Sequence, residues 1–313
     1  MESGIIRWIN TSEDKRKLAY PASFSFLGGN PLSQIKLFVC CHQAGQRVPA
    51  HPLLHPVQVG AALAQDHFPG FAHDDTGENI SQKNRSYCEL TAHYWAWKNV
   101  EADYYGFFHY RRYLYLDEHA RRPYRLAGEL TAEGLETLGF DRLEQWLEGK
   151  ACVVPMGEDM HISVRDHYAR APYHHREDLA LVEDIVREKY PDYVPAMEEY
   201  LSGTNCYFGN IFIMQKPLFD QYCGWLFSIL EEFDRRADTT GYSTQELRVD
   251  GYLAERLLGV YVTHLRRTTA TQVYELPRVQ FEPDNKKRVQ RKLLNALLPP
   301  GSRRRAWVKK GRG

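Results

Sequence analysis

Short apolar runs alternate with amphipathic helical patterns between residues 35 and 264, and this alternation most constrains the fold. Residues 35–41 (IKLFVCC) and 151–155 (ACVVP) are continuous apolar runs, which are typical of strands buried on both faces. A long helical pattern begins at Pro217, because proline suits the first helical turn, and it continues to Phe233. Alternating strands and helices predict an α/β domain with a mainly parallel sheet and flanking helices.

A third apolar run, residues 104–108, ends in the basic tetrapeptide HYRR at residues 109–112. Open α/β sheets bind their ligands beyond the carboxyl ends of the strands, so the tetrapeptide is expected at a binding site. The guanidinium groups of Arg111 and Arg112 can each grip two phosphate oxygens, and His109 stands beside them. The sequence therefore predicts a site for an anionic ligand.

Polar residues after the first strand are candidates for the same site. His42 and Gln43 directly follow residues 35–41, where the first loop of an α/β fold commonly touches a nucleotide. An ordinary polar connection is an equally good interpretation. The sequence has no GxGxxG and no GK[ST] motif, which counts against a dinucleotide-binding fold and a P-loop NTPase.

A polar loop and a helical pattern precede the tetrapeptide. The loop contains the adjacent acids Asp74 and Asp75. Ser86 and Glu89 follow at the spacing of a capping box, which predicts that a helix starts there. Four residues at helical spacing predict that this helix buries an aromatic stripe: Tyr87, Leu90, Tyr94 and Trp97.

Composition limits the class of protein. The 40 basic and 40 acidic side chains balance, so no overall field indicates a nucleic-acid partner. None of the six cysteines belongs to a C-x-x-C pair or has histidines at zinc spacing, which indicates a reducing compartment. No stretch has the pattern of a signal peptide or a membrane span. We therefore expect a cytoplasmic protein that is at most peripheral to the inner face of the plasma membrane.

The carboxyl end differs from the rest in charge. Residues 278–313 contain twelve basic residues and two acids, Glu282 and Asp284. An apolar patch lies among these charges: Leu293, Leu294, Leu297 and Leu298. Such a segment suits an anionic membrane surface, where each basic residue contributes about 1 kcal/mol. A solvated tail and a nucleic-acid arm are the alternatives; membrane contact is the better hypothesis because the globular part lacks interleaved basic and aromatic residues.

Several of these motifs together resemble one family of proteins. DDTGENISQKNRSYCELTAHYWAWKN followed by YYGFFHYRRYL is similar to the core signature of a bacterial capsular-polysaccharide and O-antigen biosynthesis family. IKLFVCCHQ and PVQVGA are similar to its opening pattern, and FGNIFIMQKPLFDQYCGWLF and GYLAERLLGVY to its second half. The resemblance covers roughly residues 35–265.

The resemblance implies a glycosyltransferase with a GT-A-like α/β fold: a mixed, mainly parallel sheet with flanking helices and a basic C-terminal tail. The expected divisions are an irregular lead-in at 1–34, the transferase domain at 35–270 and the tail at 271–313. The implied donor is a UDP-hexose, with UDP-galactofuranose a candidate because one family member is associated with galactofuranose addition. The implied acceptor is a growing, lipid-linked surface polysaccharide.

Most GT-A enzymes hold a divalent metal with an Asp-x-Asp at the end of the strand that here ends in HYRR. We therefore hypothesise that Arg111 and Arg112, helped by His109, replace the metal at the leaving diphosphate, so that neither Mn²⁺ nor Mg²⁺ is expected. The alternative role for these arginines is a structural ion pair with loop acids. Further donor contacts are expected from the loop residues Asp74, Asp75 and Asn79.

An inverting transferase needs a carboxylate that takes the proton of the acceptor hydroxyl. Glu255 is the preferred candidate, and Asp250 and the adjacent acids Glu158 and Asp159 are the others. The structural alternative for Glu255 is a pair within one helix with Arg256 or Arg248. The candidates for contacts with acceptor hydroxyls are His174, Asn205 and Asn210.

Three other classes of function remain as alternatives. A sugar-nucleotide or polysaccharide-binding module of the same fold would bind UDP without turnover. A nucleic-acid-binding protein would use HYRR and the basic tail, which the neutral core disfavours. A metal-dependent hydrolase built on His73, Asp74 and Asp75 lacks a recognisable ligand triad in the sequence.

Overall fold

The structure, a computed structural model, describes residues 34–298. Nearly all of the predicted lead-in and the last part of the basic tail lie outside these residues. The strands are β1 (Ile35–Cys41), β2 (Leu54–Gln58), β3 (Ala72–His73), β4 (Tyr104–His109), β5 (Arg112–Leu114), β6 (Tyr124–Ala127), β7 (Cys152–Pro155), β8 (Glu158–Asp159), β9 (Asn205–Cys206), β10 (Phe212–Gln215), β11 (Val273–Leu276) and β12 (Arg278–Phe281).

The helices flank these strands. The α-helices are α1 (Asn84–Tyr87), α2 (Leu90–Asn99), α3 (Ala132–Thr137), α4 (Phe140–Leu147), α5 (Val164–Arg170), α6 (Arg176–Lys189), α7 (Val194–Ser202), α8 (Lys216–Arg236), α9 (Val249–Thr268) and α10 (Asn285–Leu297). Short 3₁₀ helices occupy Ala61–Leu63, Ser81–Lys83, Pro191–Tyr193 and Glu246–Arg248.

Ten strands form one mixed sheet in the order β11-β7-β10-β4-β1-β2-β3, and β5, β6 and β12 extend it from β4. The central strand β1 is parallel to both of its neighbours, β2 and β4. Strand β10 is antiparallel to β4 and β7. The predicted fold class, a mixed and mainly parallel sheet with flanking helices, is therefore confirmed.

Helices cover both faces of the sheet because its central strands are apolar on both sides. Phe38 and Cys40 of β1 face the core under α2 and α6–α9, while Leu37 and Val39 face the core that includes α4. The middle of β4 is Gly106, where an added Cβ would lie 2.4 Å from Cδ2 of Leu37. There is therefore no room for a side chain at Gly106, and β1 and β4 pack closely at the centre of the domain.

The HYRR tetrapeptide forms a tight β-hairpin. His109 is the last residue of β4, and it pairs in antiparallel register with Arg112, the first residue of β5. Tyr110 and Arg111 are consequently the turn, at the carboxyl end of β4. The sheet positions both arginines at the carboxyl end of β4, the place that the sequence predicted for them.

The predicted capping box is wrong. Helix α2 begins at Leu90, because Cys88 takes a φ of 52° and interrupts the helical path. The hydroxyl of Ser86 donates to the Asp250 carboxylate, and Glu89 accepts from Asn210 instead of capping the helix.

The aromatic stripe is present in part. Tyr87 and Leu90 are buried in the core, whereas Tyr94 and Trp97 are only partly buried and pack on Phe227. Trp95, on the other side of α2, is buried as well. The helical spacing thus indicated only one buried face, whereas α2 is buried on more than one side.

The sheet continues into the segment expected to be tail. Strands β11 and β12 lie within residues 271–281, and β12 pairs with β5 and β6. The basic segment outside the sheet is α10, which Asp284 caps by accepting from the Lys287 backbone N–H at 3.1 Å. Of the apolar tail residues, Leu293, Leu294 and Leu297 are exposed on this helix.

Candidate functional site

A cavity of about 870 Å³ lies at the carboxyl ends of β1 and β4. This volume is within the range of small-molecule sites in proteins. Helix α9 and the hairpin between β4 and β5 both contribute to its lining. Of the residues predicted from sequence, it brings together His42, Gln43, His109, Arg111, Arg112, His174 and Glu255.

The arginines of the hairpin have no carboxylate partner. Neither Arg111 nor Arg112 forms a salt bridge within residues 34–298. The Arg111 guanidinium lies over the Tyr110 ring, 4.9 Å from its centroid. Burial and the nearby Arg278 lower the pKa of Arg112. Partly buried guanidinium groups without a salt bridge leave the lining positively charged, so the cavity favours an anionic occupant.

A third arginine, Arg248, also lines the cavity. Its Nε lies 3.3 Å from Sγ of Cys88, and no carboxylate within residues 34–298 pairs with it. The sequence analysis considered Arg248 only as a partner of Glu255 and did not assign it to the site, because it lies in a short 3₁₀ helix that no strand or helix pattern marks. A cluster of three arginines exceeds what the HYRR motif alone predicted.

Two histidines beside the arginines, His42 and His109, have lowered pKa values and are neutral at physiological pH. Burial, Arg112 and Arg111 lower the pKa of His109 to about 2, and burial, Arg248 and Arg111 lower that of His42. The His109 Nδ1 accepts from the Arg111 backbone N–H at 3.3 Å. His109 therefore contributes hydrogen bonding, and the positive charge comes from the arginines.

Glu255 projects from α9 into the cavity with both carboxylate oxygens engaged. Its Oε1 accepts from the backbone N–H of Gly209 at 2.7 Å, and its Oε2 lies 2.6 Å from Nη1 of Arg256. Arg256 is only 2% exposed. The predicted alternative, a pair with Arg256, is thus present, and the carboxylate lines the cavity as well.

Glu89 is a second carboxylate in the cavity, and the sequence analysis did not assign it to the site. Its Oε1 accepts from Nδ2 of Asn210 at 2.9 Å, and burial raises the pKa of its carboxyl group. The adjacent Cys88 and its partner Asn210 have φ values of 52° and 49°. Such conformations cost about 1–3 kcal/mol in residues other than glycine and concentrate at functional sites.

Of the three candidates for contacts with acceptor hydroxyls, only His174 lines the cavity. His174 lines the cavity, stacked on Tyr252 with ring centroids 4.1 Å apart, and burial followed by Arg256 lowers its pKa to about 4. Asn210 is buried behind Glu89 and also donates to the Gly251 carbonyl at 3.0 Å. Asn205 is exposed on β9, away from the cavity lining.

The predicted loop residues do not reach the cavity. Asp74 is fully buried, where it accepts from the backbone N–H groups of Gly60 and Ala61 and from the hydroxyl of Ser81. Asn79 bonds its own loop, and Asp75 contacts His67 at 3.1 Å. The loop acids therefore neither contact a donor in this cavity nor pair with Arg111 and Arg112.

Asp250, the second candidate for a catalytic base, is also outside the cavity lining. It is fully buried beneath α1, where Ser86 donates to it. Burial, reinforced by Asp234, raises its pKa to about 8. Asp250 and Glu255 both lie in α9, five residues apart, so they point in different directions from the helix.

Within residues 34–298, one group of side chains has the spacing of metal ligands: His67, His73 and Asp75. It lies near β3 and contributes nothing to the cavity lining. The carboxylates of the cavity itself, Glu89 and Glu255, are held by the hydrogen bonds described above.

The structure is similar to the apo structure of the WbbM bifunctional glycosyltransferase, with a TM-score of 0.75 and 33% sequence identity. The match covers 80% of this chain and 45% of that one, so this chain spans less than half of the length of its structural neighbour. No curated protein has a significant sequence match. The family model described as "Domain of unknown function (DUF4422)" matches residues 36–267, and the chain belongs to that family.

Proposed function

We propose that the protein is a glycosyltransferase that moves a sugar from a nucleoside-diphosphate donor to a glycan acceptor. The likeness to a bifunctional glycosyltransferase supports this proposal. The observation that carries it is the composition of one cavity, in which the unpaired Arg111 and Arg112 share the lining with the hydrogen-bonded carboxylate of Glu255.

The arginines are the groups that bind the diphosphate. Negative charge develops on the leaving diphosphate as the bond to the sugar breaks, and fixed cations stabilise that charge. Arg111 and Arg112 of the hairpin and Arg248 of the short 3₁₀ helix supply such cations in the cavity lining. In this proposal they act in place of a metal ion held by an Asp-x-Asp, a motif that the end of β4 lacks.

Glu255 is the proposed general base of an inverting reaction. It takes the proton of the acceptor hydroxyl while that oxygen attacks the anomeric carbon, and the diphosphate leaves with the bonding electrons. The Gly209 N–H and the Arg256 guanidinium fix its orientation. Glu89, which is hydrogen-bonded to Asn210 in the same cavity, is the alternative carboxylate for this role.

UDP-galactofuranose is the first donor to test, followed by other UDP-hexoses. His174 and Tyr252, which stack on each other, both line the cavity, and aromatic rings are common in sugar sites. The proposed acceptor is a growing, lipid-linked surface polysaccharide.

Helix α10 has the features of a membrane-contacting helix, and a lipid-linked acceptor would be found at a membrane. No helix in residues 34–298 is both long and apolar enough to span a bilayer. Helix α10 exposes Val289, Leu293 and Leu297, which are four residues apart and so lie along one side. Its basic residues lie among them: Lys286, Lys287, Arg288, Arg291 and Lys292. We propose that α10 lies on the anionic, cytoplasmic face of the membrane.

The decisive experiment is calorimetric titration of UDP in EDTA, followed by UDP release from UDP-galactofuranose with a lipid-linked acceptor. Arg111→Ala and Arg112→Ala should each weaken UDP binding by about 10- to 100-fold, the worth of hydrogen bonds to a charged group. Arg142→Ala is the matched control, because Arg142 is exposed on α4 beside Asp141, outside the cavity.

Each result distinguishes between the candidate functions. UDP binding that needs Mn²⁺, or activity that EDTA removes and Mn²⁺ restores, contradicts the role proposed for the arginines. UDP binding without release of UDP from any UDP-hexose favours the alternative, a sugar-nucleotide or polysaccharide-binding module of the same fold.

A further inference from the structure

A cluster of metal-ligand side chains lies at the edge strand β3, apart from the cavity. It consists of His67, His73 and Asp75, whose candidate ligand atoms all lie within 4.8 Å of one another. Nε2 of His67 is 3.1 Å from Oδ2 of Asp75, and the two imidazole centroids are 4.0 Å apart. Because β2 separates β3 from β1, the cluster is about 10 Å away from β1 along the sheet.

The backbone on both sides of His67 is fixed by one buried side chain. Gln58, at the end of β2, is 1% exposed. Its Nε2 donates to the Asp66 carbonyl at 3.0 Å, and its Oε1 accepts from the Phe68 N–H at 2.6 Å. Gln58 also pairs with His73 in the register of β2 and β3. A single residue thereby aligns the two segments that carry the histidines.

The backbone that carries the Asp75 carboxylate is held in the same way. Asp74, between His73 and Asp75, is anchored by its bonds from Gly60, Ala61 and Ser81. On the other side, Asn79 donates to the Asp75 carbonyl at 3.0 Å. Pre-organised ligands reduce the ordering cost of binding, so this rigidity favours a binding site over a chance approach of side chains.

One atom of the cluster has no partner. Oδ1 of Asp75 is buried and has no hydrogen bond to any residue in the described stretch 34–298. A buried acceptor that is left unsatisfied costs about 1–3 kcal/mol. A cation held by the carboxylate would supply the missing interaction.

We propose that His67, His73 and Asp75 bind a divalent transition-metal ion of the zinc class. Two imidazoles and one carboxylate form a donor set that suits Zn²⁺ and its first-row neighbours, whereas Mg²⁺ and Ca²⁺ prefer oxygen ligands alone. The side chain of His67 is half exposed, so water can occupy the remaining coordination position. The ion would join the segment before β3 to the loop after it, independently of the cavity and of its proposed function.

The test uses the full chain without a histidine tag, stripped with a chelator and titrated with Zn²⁺ by calorimetry. Binding of Co²⁺ is followed in parallel by its visible absorption. We expect about one equivalent of Zn²⁺ per chain, because the three ligands form one site. His73→Ala and Asp75→Asn should each weaken binding by at least about 100-fold, the upper end of the effect of second-shell substitutions.

His161→Ala is the matched control. The imidazole of His161 lies 3.1 Å from the Asp159 carboxylate, and its side chain is about as exposed as that of His67. This pair belongs to no group of three ligands within residues 34–298. Its Zn²⁺ affinity should equal that of the unsubstituted protein. Far-UV circular dichroism, which should be the same in all three variants and in the unsubstituted protein, verifies folding without relying on UDP binding.

Two results with the variants would overturn the metal site, and one with the unsubstituted protein. One is binding of Zn²⁺ that His73→Ala and Asp75→Asn leave unchanged; the other is an equal loss of affinity in His161→Ala. Absence of calorimetric binding and of a Co²⁺ spectrum in the unsubstituted protein would also overturn it. None of these outcomes bears on transfer activity, which is measured separately.

Discussion

Oε2 of Glu255 lies 2.6 Å from Nη1 of Arg256, although the two residues are adjacent in sequence and only Glu255 retains appreciable exposure. A fully buried guanidinium needs a counter-charge, and Glu255 supplies it. The pair therefore holds one carboxylate at the boundary between the core and the cavity. Its orientation is fixed before any substrate binds.

Glu255→Gln should abolish most transfer while preserving donor binding. Glutamine keeps the length of the side chain and can accept from Gly209, but it cannot take a proton from the acceptor. We expect kcat to fall by about 10²- to 10⁴-fold, the usual contribution of a general base. The measurements are UDP release with donor and acceptor, and UDP affinity as the check of folding.

Glu275→Gln is the control for this substitution, because Glu275 forms a similar pair with Arg266 at 2.7 Å outside the cavity. It should leave kcat unchanged. If Glu255→Gln retains kcat within a few-fold and Glu89→Gln does not, the base is Glu89.

Arg248→Ala should weaken UDP binding even though no sequence motif marks this residue. Removing one charged donor to a phosphate costs about 10- to 100-fold in affinity. Arg235→Ala is the matched control, because Arg235 is exposed on α8 and pairs with Glu232. Equal UDP affinities of the two variants, measured by calorimetry, would remove Arg248 from the site.

Asp250→Asn should stabilise the protein at neutral pH. Burial and Asp234 raise the pKa of Asp250 from 3.8 to about 8, so its protonated form is favoured by folding. The stability linked to this proton is complete below pH 4 and is lost as the pH rises to 8. The slope is at most about 1.4 kcal/mol per pH unit.

The difference in unfolding free energy between Asp250→Asn and the unsubstituted protein should therefore grow between pH 4 and 8 and then level off. Chemical denaturation at a series of pH values measures it. A difference that is independent of pH would contradict the raised pKa.

Gly259→Ala should destabilise the protein, whereas Gly224→Ala should stabilise it. Both glycines lie in helices, but a Cβ at Gly259 would come within 1.9 Å of the buried Tyr200 ring, and one at Gly224 would meet nothing within 4 Å. We expect a loss of about 1–3 kcal/mol from overpacking at the first position. At the second we expect a gain of about 0.5–1 kcal/mol from helix propensity.

Thermal or denaturant unfolding of the two glycine variants gives this comparison directly. A gain in both would mean that the Tyr200 ring moves aside without cost.

Replacing Leu293 and Leu297 by Glu should release the protein from anionic vesicles. Both leucines are exposed on α10 among basic residues, so the change removes apolar contact and adds repulsion. Co-flotation with vesicles containing phosphatidylserine measures the effect. Leu63→Glu is the control because Leu63 is similarly exposed elsewhere, and flotation unaffected by the α10 substitutions would exclude this helix as the contact.

The sequence predicted the parts of the fold that depend on local pattern. Apolar runs predicted β1, β4 and β7, and the position of HYRR after β4 predicted where the arginines lie. These inferences hold because a strand buried on both faces needs a continuous apolar sequence, and its end lies at an edge of the sheet.

The sequence did not predict features that arise from contacts between distant segments. Asp74 was expected to bind a ligand because it lies in a polar loop. The pairing of β2 with β3 instead places its carboxylate where it accepts from the backbone N–H groups of Gly60 and Ala61. Glu89 has the spacing of a cap, yet Cys88 breaks the helix and directs Glu89 into the cavity. Local spacing carries no information about such tertiary partners.

The end of β12 is bonded directly to the hairpin that carries the arginines: the Phe281 N–H donates to the Arg111 carbonyl at 2.8 Å. Helix α10 starts four residues later, at Asn285, and Arg288 donates back to the Glu282 carbonyl at 3.0 Å. A bilayer that bound α10 would thus be connected to the cavity through a short segment that is hydrogen-bonded at both ends. The cavity would then stay at a fixed distance from the bilayer surface. The protein would meet lipid-linked acceptors by diffusion in the plane of the membrane.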